Sequence, residues 1–184
     1  MSKKIKQIKQ LIKKECEKNN LDEFYRYHLL EVEKNALKLL NKLPEANNEL
    51  VMLAVWLHDL QRIRQLEGDH QQVGVREAEK VMEEYNFSSE NILLVKDIIH
   101  SHSCAGLTPT TLEGQILATA DAMSHYTSDF FLWIATRGER NLEEYKEWAL
   151  EKLDRNYNKK IFFSFAKKAI QKRHDALMQL LESK

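Results

Sequence analysis

Apolar residues recur along this chain at helical spacing, in stripes separated by polar punctuation. Ile5, Ile8, Leu11 and Ile12 share one face of a segment over 3–18, the pattern of an amphipathic helix. The opposite face carries Lys3, Lys4, Lys6, Lys9, Lys13 and Lys14, which read first as a solvated surface. Tyr25, Leu29, Val32, Ala36, Leu39 and Leu43 predict a second helix over 22–43, stopped ahead of Pro44. A third, over 48–60, contains the run ELVMLAVWLHDL. It is apolar nearly all round and is expected to be the most buried. A polar stretch over 61–69 follows, with Gly68 as a breaker.

Val75, Ala78, Met82 and Tyr85 mark a fourth helix over 71–85. Ser88 and Ser89 are candidate caps for a fifth, whose stripe is Ile92, Val95, Ile99 and then His102. After a loop over 104–109, a sixth helix is predicted to run unbroken past Asp121 to about 136 and to end at Arg137-Gly138. Two more are predicted over 141–156 and 159–182. The sequence shows no useful strand, repeat or low-complexity linker. The expected fold is all-α, a bundle of about seven to eight helices without strict heptads. It is read as one domain over 1–184, with an N-terminal helix in 1–20, a core in 21–136 and C-terminal helices in 137–184.

Composition narrows the function classes. A chain of 184 residues suits one domain, and 5 Gly with 2 Pro favour helices over sheets. The formal net charge of +0 argues against a domain-wide nucleic-acid footprint. No run approaches the length of a membrane span, and the N-terminus lacks an apolar signal core, so a cytoplasmic address is expected. Cys16 and Cys104 stand far apart and read as two free thiols. Nothing in the pattern fixes an oligomeric state.

The chemistry lies in polar residues set against apolar stripes. His58-Asp59 closes the most apolar helix, His28 sits beside the preceding stripe, and Asp121 interrupts the run Ile116-Leu117-Ala118-Thr119-Ala120-Asp121-Ala122-Met123. A buried carboxylate is costly unless its charge is matched. Imidazoles and carboxylates converging in a core suit a divalent cation (Mn, Fe, Co, Ni, Zn or Mg), an ion class that activates water and polarises phosphoryl groups. Taken singly, each residue has a plainer reading: a satisfied core histidine, a chance dipeptide, an aspartate bonded to a neighbouring Lys or Arg.

The order of these residues resembles the HD-domain superfamily. Tyr27-His28-Leu29-Leu30-Glu31-Val32 looks like its first ligand helix, Leu53-Ala54-Val55-Trp56-Leu57-His58-Asp59 like its doublet helix and Ala120-Asp121 like its last ligand. His102-Ser103, Thr111-Leu112-Glu113 and the C-terminal runs Glu151-Lys152-Leu153 and Ala166 to His174 are similar to a branch of small bacterial HD phosphohydrolases. The resemblance implies a metal-dependent phosphohydrolase acting on nucleotides or related small phosphate esters. It places metal ligation on His28, His58, Asp59 and Asp121. His70 resembles the extra histidine of two-metal members, or a phosphate contact.

His102 is preferred to His100 for the site because it continues the buried stripe. Arg62 and Arg64 follow the doublet, and arginine matches phosphate oxygens bidentately. The expected catalytic group is thus Asp59, His70, His102 and Arg62. The C-terminal aromatics (Phe130, Phe131, Trp133, Phe162, Phe163, Phe165) read as core rather than as a stacking platform. The chain departs from the branch at Thr119, where an Asp is usual, and at Arg62, where some HD nucleotidases place an acid. No protein general base is assigned. Two alternatives stay open: a degenerate HD module that binds metal or nucleotide without turnover, and a di-iron oxygenase of HD type.

Overall fold

The computed structural model describes residues 2–182, and among these the regular elements are all helical. α1 spans Lys3–Lys18. α2 starts at Asp22–Phe24, passes through a π turn at Tyr25–Leu29 and continues as Leu30–Leu40. α3 is Asn48–Leu57, α4 the short Leu60–Ile63, α5 His70–Glu84 and α6 Ser89–Ser101. α7 is Leu112–Thr127, α8 Phe130–Thr136 and α9 Leu142–Arg155. A second π turn, Asn156–Lys160, leads towards α10, Ser164–Glu182.

Local chemistry sets most of these starts. Side chains of Asn47, Asp69, Ser88 and Thr111 accept hydrogen bonds from the first free backbone N–H groups of α3, α5, α6 and α7. Asn141 and Glu144 form a reciprocal capping box at α9. Gly114 lies where a Cβ would meet Pro109 Cβ and Thr111 Oγ1 at 3.0 Å, so a larger residue in the first turn of α7 would have to push these neighbours back by a few tenths of an ångström.

α7 is the axis of the bundle. The Leu30–Leu40 part of α2 packs along it, and α3, α6, α10 and the second π turn also lie against it. Every residue from Ile116 to Tyr126 is therefore buried. α3, buried from Leu50 through Leu57, was expected to be the most buried helix; α7 matches it. α1 covers α3 with Ile5, Ile8 and Ile12, leaving most of its lysines outside. Cys16 and Cys104 are free thiols. No described helix is long and apolar enough to cross a membrane.

The structure corrects several boundaries. The predicted helix over 110–136 is broken at Ser128-Asp129, where Ser128 is extended and its hydroxyl lies between the Tyr27 and Ser124 carbonyls, within hydrogen-bond distance of both. The predicted helix over 48–60 ends at Leu57, and a turn at His58-Asp59 separates it from α4 inside the stretch read as a loop. The predicted stripe of α2 began at Tyr25, yet Phe24 is the buried residue and Tyr25 is half-buried. The π turn explains this: its extra residue shifts the phase of everything before it by one position. The second π turn and the extended residues after it replace the start of the predicted helix over 159–182.

Leu53 is fully buried in α3. Leu53→Ala should destabilise the fold by about 2–5 kcal/mol, measured as a lowered midpoint in urea unfolding followed by circular dichroism.

Candidate metal centre

Six polar side chains meet where these elements converge. The first π turn supplies His28, the C-terminal end of α3 supplies His58 and Asp59, and the first residue of α5 is His70. His102 follows α6, and Asp121 lies in the middle of α7. All are buried except His70, whose side chain is 35% exposed.

His28 Nε2 lies 3.1 Å from Asp59 Oδ2 and 3.6 Å from Asp121 Oδ1. His58 Nε2 lies 3.3 Å from Asp59 Oδ2 and 3.3 Å from His28 Nε2. On the other side of the same carboxylate, His70 Nε2 is 3.2 Å from Asp59 Oδ1. The His102 ring stands 5.1 Å from that of His58 and 6.1 Å from that of His70. His102 is thus the histidine of its pair that faces the cluster.

The opposite ring nitrogens fix the tautomers. His58 Nδ1 lies 2.9 Å from the Val55 carbonyl and His102 Nδ1 lies 2.5 Å from that of Ile99. A carbonyl only accepts, so both Nδ1 atoms carry the proton. His70 Nδ1 faces Gln61 Oε1 at 3.0 Å, while the amide nitrogen of Gln61 donates to Leu66. His28 Nδ1 meets Ser124 Oγ at 3.0 Å, and that hydroxyl gives its own proton to the Asp121 carbonyl at 2.7 Å. In each neutral imidazole the Nε2 lone pair is therefore free. For His28, His58 and His70 it points at carboxylate oxygen.

Acceptors this close repel unless something positive lies between them. Among the described residues, three overlapping groups have mutually close ligand atoms: His28, His58 and Asp59; His28, Asp121 and His125; and Asp59, His70 and His102. Backbone or side-chain bonds at the far nitrogen are the usual way protein orients metal-binding histidines. The donor set therefore fits a divalent cation of the class that accepts imidazole and carboxylate together.

A proton is the alternative occupant. Burial depresses the His58 pKa, but the neighbouring Asp59 outweighs it and lifts the group above its ordinary value. At His28 the balance runs the other way: burial outweighs Asp59 and Asp121 and lowers the group. His102 is driven down to about 3 by burial, with His58 and Lys160 adding to it. Asp59 is held well below the usual carboxylate range: burial would raise it, and His58, His28 and His70 prevail.

Asp121 is served differently. Burial would raise its pKa, but the Lys160 ammonium, followed by His125 and His28, holds it well below the usual range. Lys160 Nζ pairs with Asp121 Oδ2 and leaves Oδ1 facing His28. For this acid the plainer reading, an aspartate bonded to a protein cation, therefore holds in part. Thr119, the residue that departs from the resembled branch, holds this arrangement: its hydroxyl donates to the Lys160 carbonyl at 3.2 Å and accepts from Phe162 N at 3.1 Å.

A small cavity of about 150 Å³ opens over the cluster, and Arg62, Lys152, Arg155 and Lys160 line it. Arg62 stacks over Phe24 at 5.4 Å. Burial first, then Lys160, Arg155 and Arg62 against the pull of Asp121, bring the Lys152 pKa down to about 7. Arg64, the other arginine after the doublet, is turned away and bonded to Glu15 and Glu77.

The predicted residues His28, His58, Asp59, His70, His102, Asp121 and Arg62 thus share one locus. Lys160, Lys152, His125 and Ser124 were missed. His125 stacks on His28 at 5.3 Å and places Nε2 3.9 Å from Asp121 Oδ1. One signal was available, since residues 121, 124 and 125 stand at three- and four-residue steps on one helix. Nothing local marked the lysines.

Searches of curated proteins and of solved structures found no match to the chain. A family model described as the HD domain matches residues 25–125, which runs from the first turn of the His28 segment through His125. The chain belongs to the HD domain family, a superfamily of metal-dependent phosphohydrolases.

Proposed function

We propose that the chain hydrolyses a phosphate ester or anhydride of a nucleotide or nucleotide-like small molecule at this centre. The observation that carries the reading is the set of imidazole Nε2 and carboxylate oxygen acceptors gathered beneath a rim of basic side chains. In this reading His28, His58, Asp59 and Asp121 hold one divalent ion. Such an ion supplies a Lewis acid that polarises a phosphoryl oxygen and lowers the pKa of bound water.

The protein's own part is placement and charge. Val55, Ile99, Gln61 and Ser124 lock the four imidazoles in the tautomer that leaves Nε2 free. Asp59 presents Oδ2 to His28 and His58 and Oδ1 to His70, so it links the buried cluster to the half-exposed histidine at the mouth. Arg62, Lys152 and Lys160 face the cavity, where they neutralise charge that develops on a phosphoryl group. Hydrolysis forms a bond from water oxygen to phosphorus and breaks the bond to the leaving oxygen, which takes up the proton.

A second reading is favoured by one observation: Asp59, His70 and His102 form a ligand group of their own, sharing Asp59 with the first. It assigns two ions, with His70 and His102 holding the second. Elemental analysis separates the readings, since one metal per chain removes the two-ion form, and with it the di-iron oxygenase alternative.

Metal addition should stabilise the protein. At Mn²⁺ one hundred times its dissociation constant, the gain should be about 2.7 kcal/mol, read from thermal melting, and Asp59→Ala should abolish it. Because metal binding competes with protonation of His58, whose pKa Asp59 raises, calorimetry near and below neutral pH in buffers of different ionisation enthalpy should show proton release. With Mn²⁺, Co²⁺ or Ni²⁺ the protein should liberate phosphate or pyrophosphate from members of a broad phosphoester panel. Asp59→Ala should lose this activity and keep its helical circular dichroism. Metal bound with no turnover on any substrate would leave a binding module in place of an enzyme.

A further inference from the structure

A second and larger cavity, of about 610 Å³, lies beside the metal centre between the start of α2, α8 and α9. The two cavities share a border made of Arg62, Lys152 and Arg155. Arg137 and Arg140 line its outer part. Five cations thus face one space, and the carboxylate among its lining residues is that of Glu139. Glu139 lies 2.6 Å from Arg137 and 4.0 Å from Arg140, so its single charge is divided between two arginines. Among the described residues, Arg62, Lys152 and Arg155 have no carboxylate within ion-pair distance. Such a concentration stands out in a chain whose formal net charge is +0.

Aromatic rings hold these cations without neutralising them. Arg137 lies over Trp133 at 5.5 Å, Arg140 over Trp148 at 4.9 Å and Lys152 over Phe130 at 5.3 Å. A ring face orients a cation without supplying a counter-charge; Arg137 gives Nε and Nη2 to Glu139, while Arg140 meets that carboxylate at the edge of ion-pair distance, 4.0 Å. Like charges gathered in a concave space repel one another and concentrate anions. The cavity falls within the range typical of small-ligand sites, roughly 300–1,000 Å³.

We propose that this cavity binds a second anionic group of the same ligand, so that the substrate is a small molecule bearing a chain of phosphates, with one phosphate at the metal centre and the next among Arg62, Lys152 and Arg155. The planar fork of Arg140, with the charge of Arg137 beside it, matches the oxygens of a phosphate further along the chain. The proposal rests on the metal centre being a phosphate site. The cavity ends at that centre and is bounded by α2, α8 and α9, which favours a small ligand over an extended nucleic-acid strand.

The test uses binding, which is independent of turnover. Metal-free full-length protein is titrated calorimetrically with inorganic tripolyphosphate, with orthophosphate and with a short single-stranded oligonucleotide. Tripolyphosphate should bind at least tenfold more tightly than orthophosphate, and the affinity should fall as salt rises. The double variant Arg137→Gln, Arg140→Gln alters two surface side chains that are 39% and 36% exposed, so the fold should persist. It should bind tripolyphosphate at least tenfold more weakly and keep the wild-type affinity for Mn²⁺. Arg155→Gln, also at an exposed position, should weaken tripolyphosphate binding in the same direction. Equal binding by wild type and these variants would overturn the assignment, as would tighter binding of the oligonucleotide than of tripolyphosphate. If no substrate is turned over but arginine-dependent tripolyphosphate binding persists, the cavity assignment stands and the hydrolytic reading falls.

Discussion

Two carboxylates with several imidazole lone pairs aimed at them cannot lie in a helical core without positive charge between them. Burial alone raises the free energy of each charged oxygen, and nearby lone pairs add to that cost. Everything around Asp59 and Asp121 answers this constraint. Asp59 is met by His28, His58 and His70, whose far nitrogens are tied to fixed acceptors so that the near ones remain basic. Asp121 is met half by Lys160 and half by the cluster. The difference divides the centre into a side open to a cation and a side already occupied by an ammonium group.

The bundle is arranged so that this cost is carried by its most rigid part. α7 is enclosed on several sides and carries Asp121, Ser124 and His125 on consecutive turns. α3 delivers His58 at the end of a helix whose last residues are all buried. The two π turns add one residue each where a side chain of the buried cluster is placed, at His28 and at Lys160. Wide turns of this type are uncommon and often lie at functional sites. The charge distribution continues outward: past the small cavity over the cluster, the cations belong to a second cavity, propped on aromatic rings. The aromatics there, Phe130 and Trp133 among them, are core residues as the pattern implied, yet their edges and faces also position charge.

Much of the fold was legible in the chain. The apolar stripes of α1 and α6 and the cap at Ser88 depend on residues a few positions apart, and local rules read them well. The ordered His28, His58-Asp59 and Asp121 were visible as polar residues in apolar runs, and His102 was chosen over His100 by helical phase alone. Where reading failed, the deciding partner was remote in sequence. Arg64 looked like a phosphate contact, but Glu15 and Glu77 claim it. The break after Thr127 follows a bond from Ser128 to Tyr27, a residue from the far end of the core.

What the sequence determined by itself was therefore the all-helical class and most of its helices, the family and the order of the acids and histidines in apolar runs, because periodicity and capping are local and the order of the residues carries the resemblance. What only the tertiary structure decided was how those charges are balanced. Lys160 reaches Asp121 across 39 positions, held by Thr119, and Lys152 lies between two cavities that no single helix defines. Electrostatic compensation depends on distances through space, and in a helical bundle those distances are set by packing, which local pattern does not encode.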